Sequence, residues 1–380
     1  MTQKFVYKDT GVDIELGDTI SKIFYNAAKQ TWHNREGRLG EVIVPSDDFS
    51  GIRVIDVANL PLNTVMSIGF DGIGTKIELA ERVGNYKTLA YDLFAMVCDD
   101  AVAKGGEPVL VGSILDVNSL GFGDKTFLPQ IKELAQGYIE AAKEANVAIV
   151  NGEVAELGDR VGGFGNFNCN WGAAVVWFAQ KDRMFTGYEI KEGDYLVGLK
   201  ESGFRSNGLS LVRKILHTHH GDNWHQTYYN GVPLGDQTLA ASRIYSRAVV
   251  EMFGGCSCQE PQVEIHGISH ITGGGMPGKV RRVLKPSKLG ALVDNPFEPA
   301  PLMHYCQEKG RVDDKEAYLT WNMGQGMVII TPEPERVMEV AKIYLIDSRV
   351  IGRVTSDPSL KIKSKGYYSR DEVLTYESKK

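Results

Sequence analysis

The chain has 380 residues, 43% hydrophobic and 24% charged, with a formal net charge of −6. That length exceeds what one ordinary core favours and predicts two domains. The negative balance argues against general nucleic-acid binding, and no apolar run is long enough to span a membrane.

Five cysteines, an odd number in a long chain, and an opening MTQKFVYKDTGVD without an apolar signal-peptide core fit a reducing, cytoplasmic setting. Cys256 and Cys258 form a close pair in a Gly-rich loop, but no second ligand pair follows at zinc spacing, so a structural pair is favoured over a metal site.

In chain order, alternation at 65–70 puts Met66, Ile68 and Phe70 on one face of a strand. Helices are expected at 77–83, 92–104 and 126–146, with strands at 109–117, 147–150 and 173–178 among them. A second series runs from a strand at 194–200 through a helix at 209–216 and a strand at 263–268. It continues with a helix at 279–284, strands at 289–293 and 327–331, and a helix at 333–344. Strands and helices alternate in both halves, which indicates α/β or α+β layers. The turn-rich QKDRMFTGYEIKEGD places the boundary near 185, giving domains 1–184 and 185–380.

The first strand runs into DGIGTK (71–76). Gly69 and Gly74 have P-loop spacing, but Thr75–Lys76 reverses the required Lys-Ser/Thr order, so a P-loop is rejected. A turn with glycines at positive φ remains the plain alternative. The functional reading is that Gly72, Gly74 and Thr75 bring backbone close to phosphate. Asp71 would then hold Mg²⁺ and Lys76 would offset phosphate charge at a helix start.

On the helix at 92–104, the 3.6-residue turn places Asp100 within the stripe of Leu93, Met96 and Val97, where a carboxylate is costly unless paired or bound to a cation. Asp92 and Asp99 share the neighbouring edge. Glu153 follows a strand, where ligands commonly meet strand ends. In ESGFRSNGLSLVRKIL, Ser206 and Asn207 read as helix caps, and Arg205 beside the helix start makes an anion site.

IHGISHITGGGMPGKV contains G-x-G-x-x-G at Gly273, Gly275 and Gly278, with Asp294 where a ribose-binding acid would fall. Pro277 interrupts that dinucleotide reading. His270, just before the glycine turn, is the functional histidine to prefer over His266. His217, His219 and His220 read as a solvated loop.

These motifs together resemble the aminoimidazole ribonucleotide synthetase (phosphoribosylformylglycinamidine cyclo-ligase) family. The likeness runs in order through YKDTGVDIELGD (7–18), DGIGTK, DLFAMVCDDAVAKGGEP (92–108) and NGEVAE (151–156). It goes on through SNGLSLVRKIL (206–216), HGISHITGGG (266–275) and NMGQGMVI (322–329).

The resemblance implies an N-terminal half that pairs strands across a homodimer and a layered α/β C-terminal domain. It also implies ATP-dependent closure of an imidazole ring on a small ribonucleotide, with Mg²⁺ as cofactor and K⁺ to be varied beside it in assays. Residue by residue it implies Asp71 and Asp100 as metal and nucleotide acids, with Asp71, Lys76 and His270 as the catalytic set. Glu153, Gly273 and Gly274 join the nucleotide and substrate contacts.

Departures lie at Phe204–Arg205, where the family reads Pro-His, and in the altered loops at 34–51 and 157–172. Within the superfamily, thiamine-phosphate kinase is the alternative activity, and a nucleotide-binding regulator without turnover is the alternative class. A selenophosphate synthetase is disfavoured by the lack of cysteine before Cys98, and the hydrogenase-maturation relative by the YESKK terminus.

Overall fold

The computed structural model describes residues 13–45, 51–122, 125–256 and 260–377. Cys258 and the start of the 7–18 motif lie outside them. Two mixed sheets organise these residues.

The first sheet uses β1 (Thr64–Gly72), β2 (Glu107–Val117), β3 (Ala148–Glu156) and β4 (Cys169–Gln180), in the order β1–β4–β2–β3. Only β2 and β3 run parallel. One face of this sheet is covered by α1 (Ile14–Lys29), α3 (Leu89–Val102) and α4 (Leu128–Ala145), with α2 (Ile77–Val83) following β1. Trp171, Val175 and Val111 point into that core.

The other face is open. Met66, Ile68 and Phe70 lie on it at 64%, 50% and 74% exposure. The alternation expected for this strand is present, and its apolar side is the uncovered one.

The second sheet orders β6 (Gly267–His270), β8 (Gln325–Thr331), β5 (Tyr195–Lys200), β9 (Ser348–Thr355), β7 (Gly290–Val293), β10 (Leu360–Lys363) and β11 (Val373–Tyr376). Every pair is antiparallel except β7 with β10. Around it lie α5 (Leu209–His220), α6 (Leu234–Thr238), α7 (Ser246–Phe253), α8 (Gly275–Leu284), α9 (Pro301–Gly310), α10 (Asp314–Thr320) and α11 (Pro334–Ile343). The first sheet ends at Gln180 and the second begins at Tyr195. Among the described residues no helix is long and apolar enough to cross a membrane.

Four expectations shift. The strand at 263–268 forms later, at Gly267–His270, and the helix expected from 279 starts at Gly275. The histidines at 217–220 belong to the last turn of α5, where cations suit the C-terminal end of the dipole.

The fourth shift concerns α3. Every residue of it except Tyr91 and Asp100 is buried, so its polar edge is interior rather than solvated. Asp92 and Asp99 are the wholly buried acids, and the Asp100 side chain is 48% exposed. The C-terminal half covers the side of α3 that the first sheet leaves free, an arrangement that periodicity within one helix cannot reveal.

Each buried acid meets one cation. Lys76 Nζ donates to Asp92 Oδ1 at 2.7 Å, to the Ala240 carbonyl at 2.5 Å and to the Phe204 carbonyl at 3.2 Å. Asp92 Oδ1 also accepts from the Ser242 hydroxyl and N–H. Arg205 donates to Asp99 Oδ2 at 3.0 Å and to Glu201 Oε2 at 2.9 Å, while Asp99 Oδ1 accepts from the Tyr245 N–H at 2.9 Å. Both clusters join the two halves of the chain.

Lys76→Met would leave Asp92 and two carbonyls buried without their cation. A loss of about 3–5 kcal/mol in unfolding free energy is expected, read as a lower denaturant midpoint; an unchanged midpoint would show that the pair fastens nothing.

A second outcome concerns pH. His266 is buried, which disfavours its charged ring, but Asp194 (2.7 Å at Nδ1) and Glu264 (2.8 Å at Nε2) outweigh burial and raise its pKa. The stability this adds is fully present below the unfolded value of about 6.5. It is lost as pH rises through the higher folded value. Unfolding midpoints measured upward from about pH 6 should therefore decline by a component that His266→Gln abolishes.

Candidate active site

β1 delivers Asp71 to the end of its strand, and the chain turns at once through a short 3-10 turn (Gly74–Lys76) into α2. Gly74 sits at φ +65°, a conformation that side chains resist, and lies against the Ser206 backbone. The Gly72 N–H donates to Asp71 Oδ1 at 2.7 Å, and the Thr75 hydroxyl is 3.5 Å from that of Ser210 on α5. The 204–208 loop and the DGIGTK turn are therefore neighbours.

Opposite them, β6 ends at His270 and α8 starts after Gly274, which has φ +88° and offers no side-chain cap. Gly275 is obligatory here, because an added Cβ would lie 1.9 Å from the Tyr318 carbonyl oxygen. Gly273 and Gly274 are exposed. A Cβ on Gly273 would stand 3.8 Å from Asn207 Oδ1. The Ser206 Oγ and Asn207 Oδ1 are buried atoms with no hydrogen-bond partner.

Asp100 connects these parts. Its Oδ1 accepts from His270 Nδ1 at 2.8 Å, and Arg205 donates to His270 Nε2 at 3.0 Å. A guanidinium can only donate, so Nε2 is the bare nitrogen and the ring is neutral with its proton on Nδ1. Burial is the largest influence on the ring and, with Arg205, holds its pKa down to about 4. Burial pushes Asp100 up, but the His270 hydrogen bond and the nearby lysines prevail and bring it to about 2. Asp71 is raised, first by burial, and Asp100 adds repulsion that Lys279 offsets. The two carboxylates thus share one field.

Glu153 stands apart from this pair along the sheet, exposed on the edge strand β3. It lines, with Asp71, Asp116 and Asn151, a groove of about 670 Å³ across the open sheet face. The floor is made of small residues in register, Gly112 and Ala174 between Phe70 and Asn151.

Among the expected site residues, Asp71 and Glu153 line one groove, and Asp100 meets the buried His270 just ahead of the 273–275 turn. Two cations are withdrawn into the interior. Lys76, expected to offset phosphate charge, is wholly buried with its donors used on Asp92 and two carbonyls. Arg205, expected as an anion site, is 2% exposed and committed to Asp99, Glu201 and His270. His270 also changes standing. Both ring nitrogens are engaged, so it orients Asp100 rather than moving a proton itself.

The sequence reading missed Lys279, half-exposed in α8 and acted on by Asp100 and Asp71. Its signal was its place one turn into the helix that a glycine turn opens. The altered 157–172 loop is pinned to α2. Glu81 accepts from the Phe164 and Cys169 N–H groups, and the Arg82 guanidinium lies 4.3 Å from the Phe164 ring centre.

Among the described residues no group of three or more His, Cys, Asp or Glu side chains could hold a metal. Two carboxylates with room for phosphate oxygens do suit Mg²⁺, which usually binds one or two acids plus substrate phosphates and water.

Residues 54–167 match the family model described as AIR synthase related protein, N-terminal domain, and residues 191–365 match the corresponding C-terminal domain. The phosphoribosylformylglycinamidine cyclo-ligase of Oceanobacillus iheyensis is 32% identical over 359 residues, spanning 93% of this chain and 97% of its own. That of Methanocaldococcus jannaschii is 33% identical over 350 residues, spanning 92% and 91%. Among solved structures, hydrogenase maturation protein HypE in complex with ATP shares the fold at a TM-score of 0.53 and 14% identity, over 85% of this chain and 88% of that one. By sequence along nearly its whole length and by both of its domains, this chain belongs to the phosphoribosylformylglycinamidine cyclo-ligase (AIR synthase related) family.

Proposed function

We propose that the chain closes the imidazole ring of aminoimidazole ribonucleotide from formylglycinamidine ribonucleotide, consuming ATP, as a cytoplasmic homodimer. The γ-phosphoryl group passes to the formyl amide oxygen as its bond to ADP breaks, and the amide nitrogen loses its proton. An amidine nitrogen then attacks the formyl carbon. The C–O bond breaks, phosphate departs, and the new ring nitrogen releases its proton. An amide oxygen leaves poorly and phosphate leaves well, so the protein chiefly positions groups and offsets charge.

The observation that carries this reading is the placing of two acids at glycine turns: Asp71 directly before the turn at 72–74, and Asp100 hydrogen-bonded to His270 just ahead of the turn at 273–275. Mg²⁺ held by these acids would neutralise charge on the phosphates. His270, neutral and hydrogen-bonded on both sides, keeps Asp100 ionised and aimed. Glu153 and the groove floor supply a bed for the ribonucleotide. The uncovered apolar face of β1, at the edge of its sheet, supports the homodimer, since such an edge left bare invites aggregation.

Asp100→Asn keeps an oxygen acceptor for His270 Nδ1–H while removing the charge. Turnover with formylglycinamidine ribonucleotide and Mg·ATP should fall by roughly 10- to 1000-fold with the melting temperature held. Wild-type turnover in that variant would remove Asp100 from the metal site. Absence of phosphate release and ring formation by the wild type, across varied Mg²⁺ and K⁺, would sink the activity itself.

Assembly has its own readout. Light scattering at micromolar concentration should give a dimer for the wild type and a shift toward monomer for Ile68→Glu, which places a charge on the open face. A monomeric wild type would count against the dimer.

A further inference from the structure

The motif cations Lys76 and Arg205 are used up inside the protein, which leaves the acids of the site without an obvious counter-charge for an anionic ligand. Lys279 is the cation in position. It is the fifth residue of α8, whose N-terminal end carries the positive end of the helix dipole. It is half-exposed, and among the described residues it makes no ion pair and no hydrogen bond. Burial works against its charge, Asp100 and Asp71 favour it, and Arg282 and Lys104 oppose it.

Long surface lysines are ordinarily drawn onto a carboxylate where one is in reach. This one lies in the field of two acids and pairs with neither. Beside the same turn, Ser206 is 8% exposed and its Oγ has no partner. Asn207 Oδ1 borders Gly273 and is likewise unpartnered.

We propose that Lys279 is the ligand-binding cation of this site: its ammonium contacts a phosphate group seated between the start of α8 and the Asp71–Asp100 pair. Two fixed carboxylates repel a phosphate dianion, and a divalent ion between them offsets only part of that charge. An ammonium on the far side of the phosphate completes the neutralisation. The role is one of binding and charge balance, and needs no proton or bond to change on Lys279. The proposal rests on the reading of the site as one that handles phosphates. It leaves open two bearers of one chemistry, the terminal phosphate of a nucleotide and the 5′-phosphate of the ribonucleotide.

Calorimetric titration of wild type, Lys279→Met and Lys279→Arg with Mg·AMP-PNP, and separately with formylglycinamidine ribonucleotide, decides between them. Lys279→Met should weaken one probe by about ten- to a hundredfold, the range for a charge-assisted hydrogen bond, with a shallower salt dependence. Lys279→Arg should recover most of the loss. Because the side chain is unpaired, the melting temperature should move by less than about 2 °C. Weakening of Mg·AMP-PNP alone assigns the nucleotide phosphate, and weakening of the ribonucleotide alone assigns the 5′-phosphate. Equal affinity of wild type and Lys279→Met for both probes overturns the proposal, as does a wild type that binds neither. A wild type that binds Mg·AMP-PNP through Lys279 yet never forms the imidazole ring would refute the cyclisation and leave this assignment standing.

Discussion

Everything in this molecule is arranged about two carboxylates on one helix. Asp92 and Asp99 of α3 are fully buried, and a buried carboxylate without a partner is among the costliest things a fold can contain. Each is answered by a cation brought from a different turn, Lys76 from the end of β1 and Arg205 from the loop after β5. Those two turns also carry the exposed chemistry. Asp71 lies just ahead of Lys76, and Ser206 and Asn207 follow Arg205 directly. The buried charges thus set the position of the functional ones. Asp100, beside Asp99 on the helix, points out of the same junction and takes its orientation from a histidine that Arg205 also touches.

This division of labour explains how far the sequence could be read. Alternation in β1 and the glycine punctuation were legible because they are local. Asp71, Asp100 and His270 could be singled out because an acid after a strand, or a histidine before a glycine turn, is unusual in itself. What could not be read was which charge faces which. Lys76 and Asp92 are 16 positions apart and Arg205 and Asp99 are 106 apart, so no window shows the pairing. Both motif cations therefore looked available when both are spent. The helical wheel of α3 failed for a related reason: it assumes one solvent face, and this helix has nearly none.

The open sheet face follows a different logic. Phe70 stands on one side of a floor of glycine and alanine, and Asn151 and Glu153 on the other. Small residues in register across three strands leave width for a ligand and keep the backbone near. An apolar wall and a polar wall facing across such a floor suit a molecule with a heterocycle at one end and charge at the other.

The burial of α3 between the two halves also governs how the enzyme can move. Opening the halves like a hinge would pull Arg205 from Asp99 and strip the Lys76–Asp92 pair of the Phe204 and Ala240 carbonyls and the Ser242 hydroxyl, leaving charges short of partners in partly dry surroundings at several kcal/mol each. These contacts oppose large rotations of one half on the other. Closure around a ligand must instead come from segments that can bend without touching those pairs, chiefly the glycine turns at 72–74 and 273–275. The contacts around α3 oppose hinge opening and direct any closure to local segments.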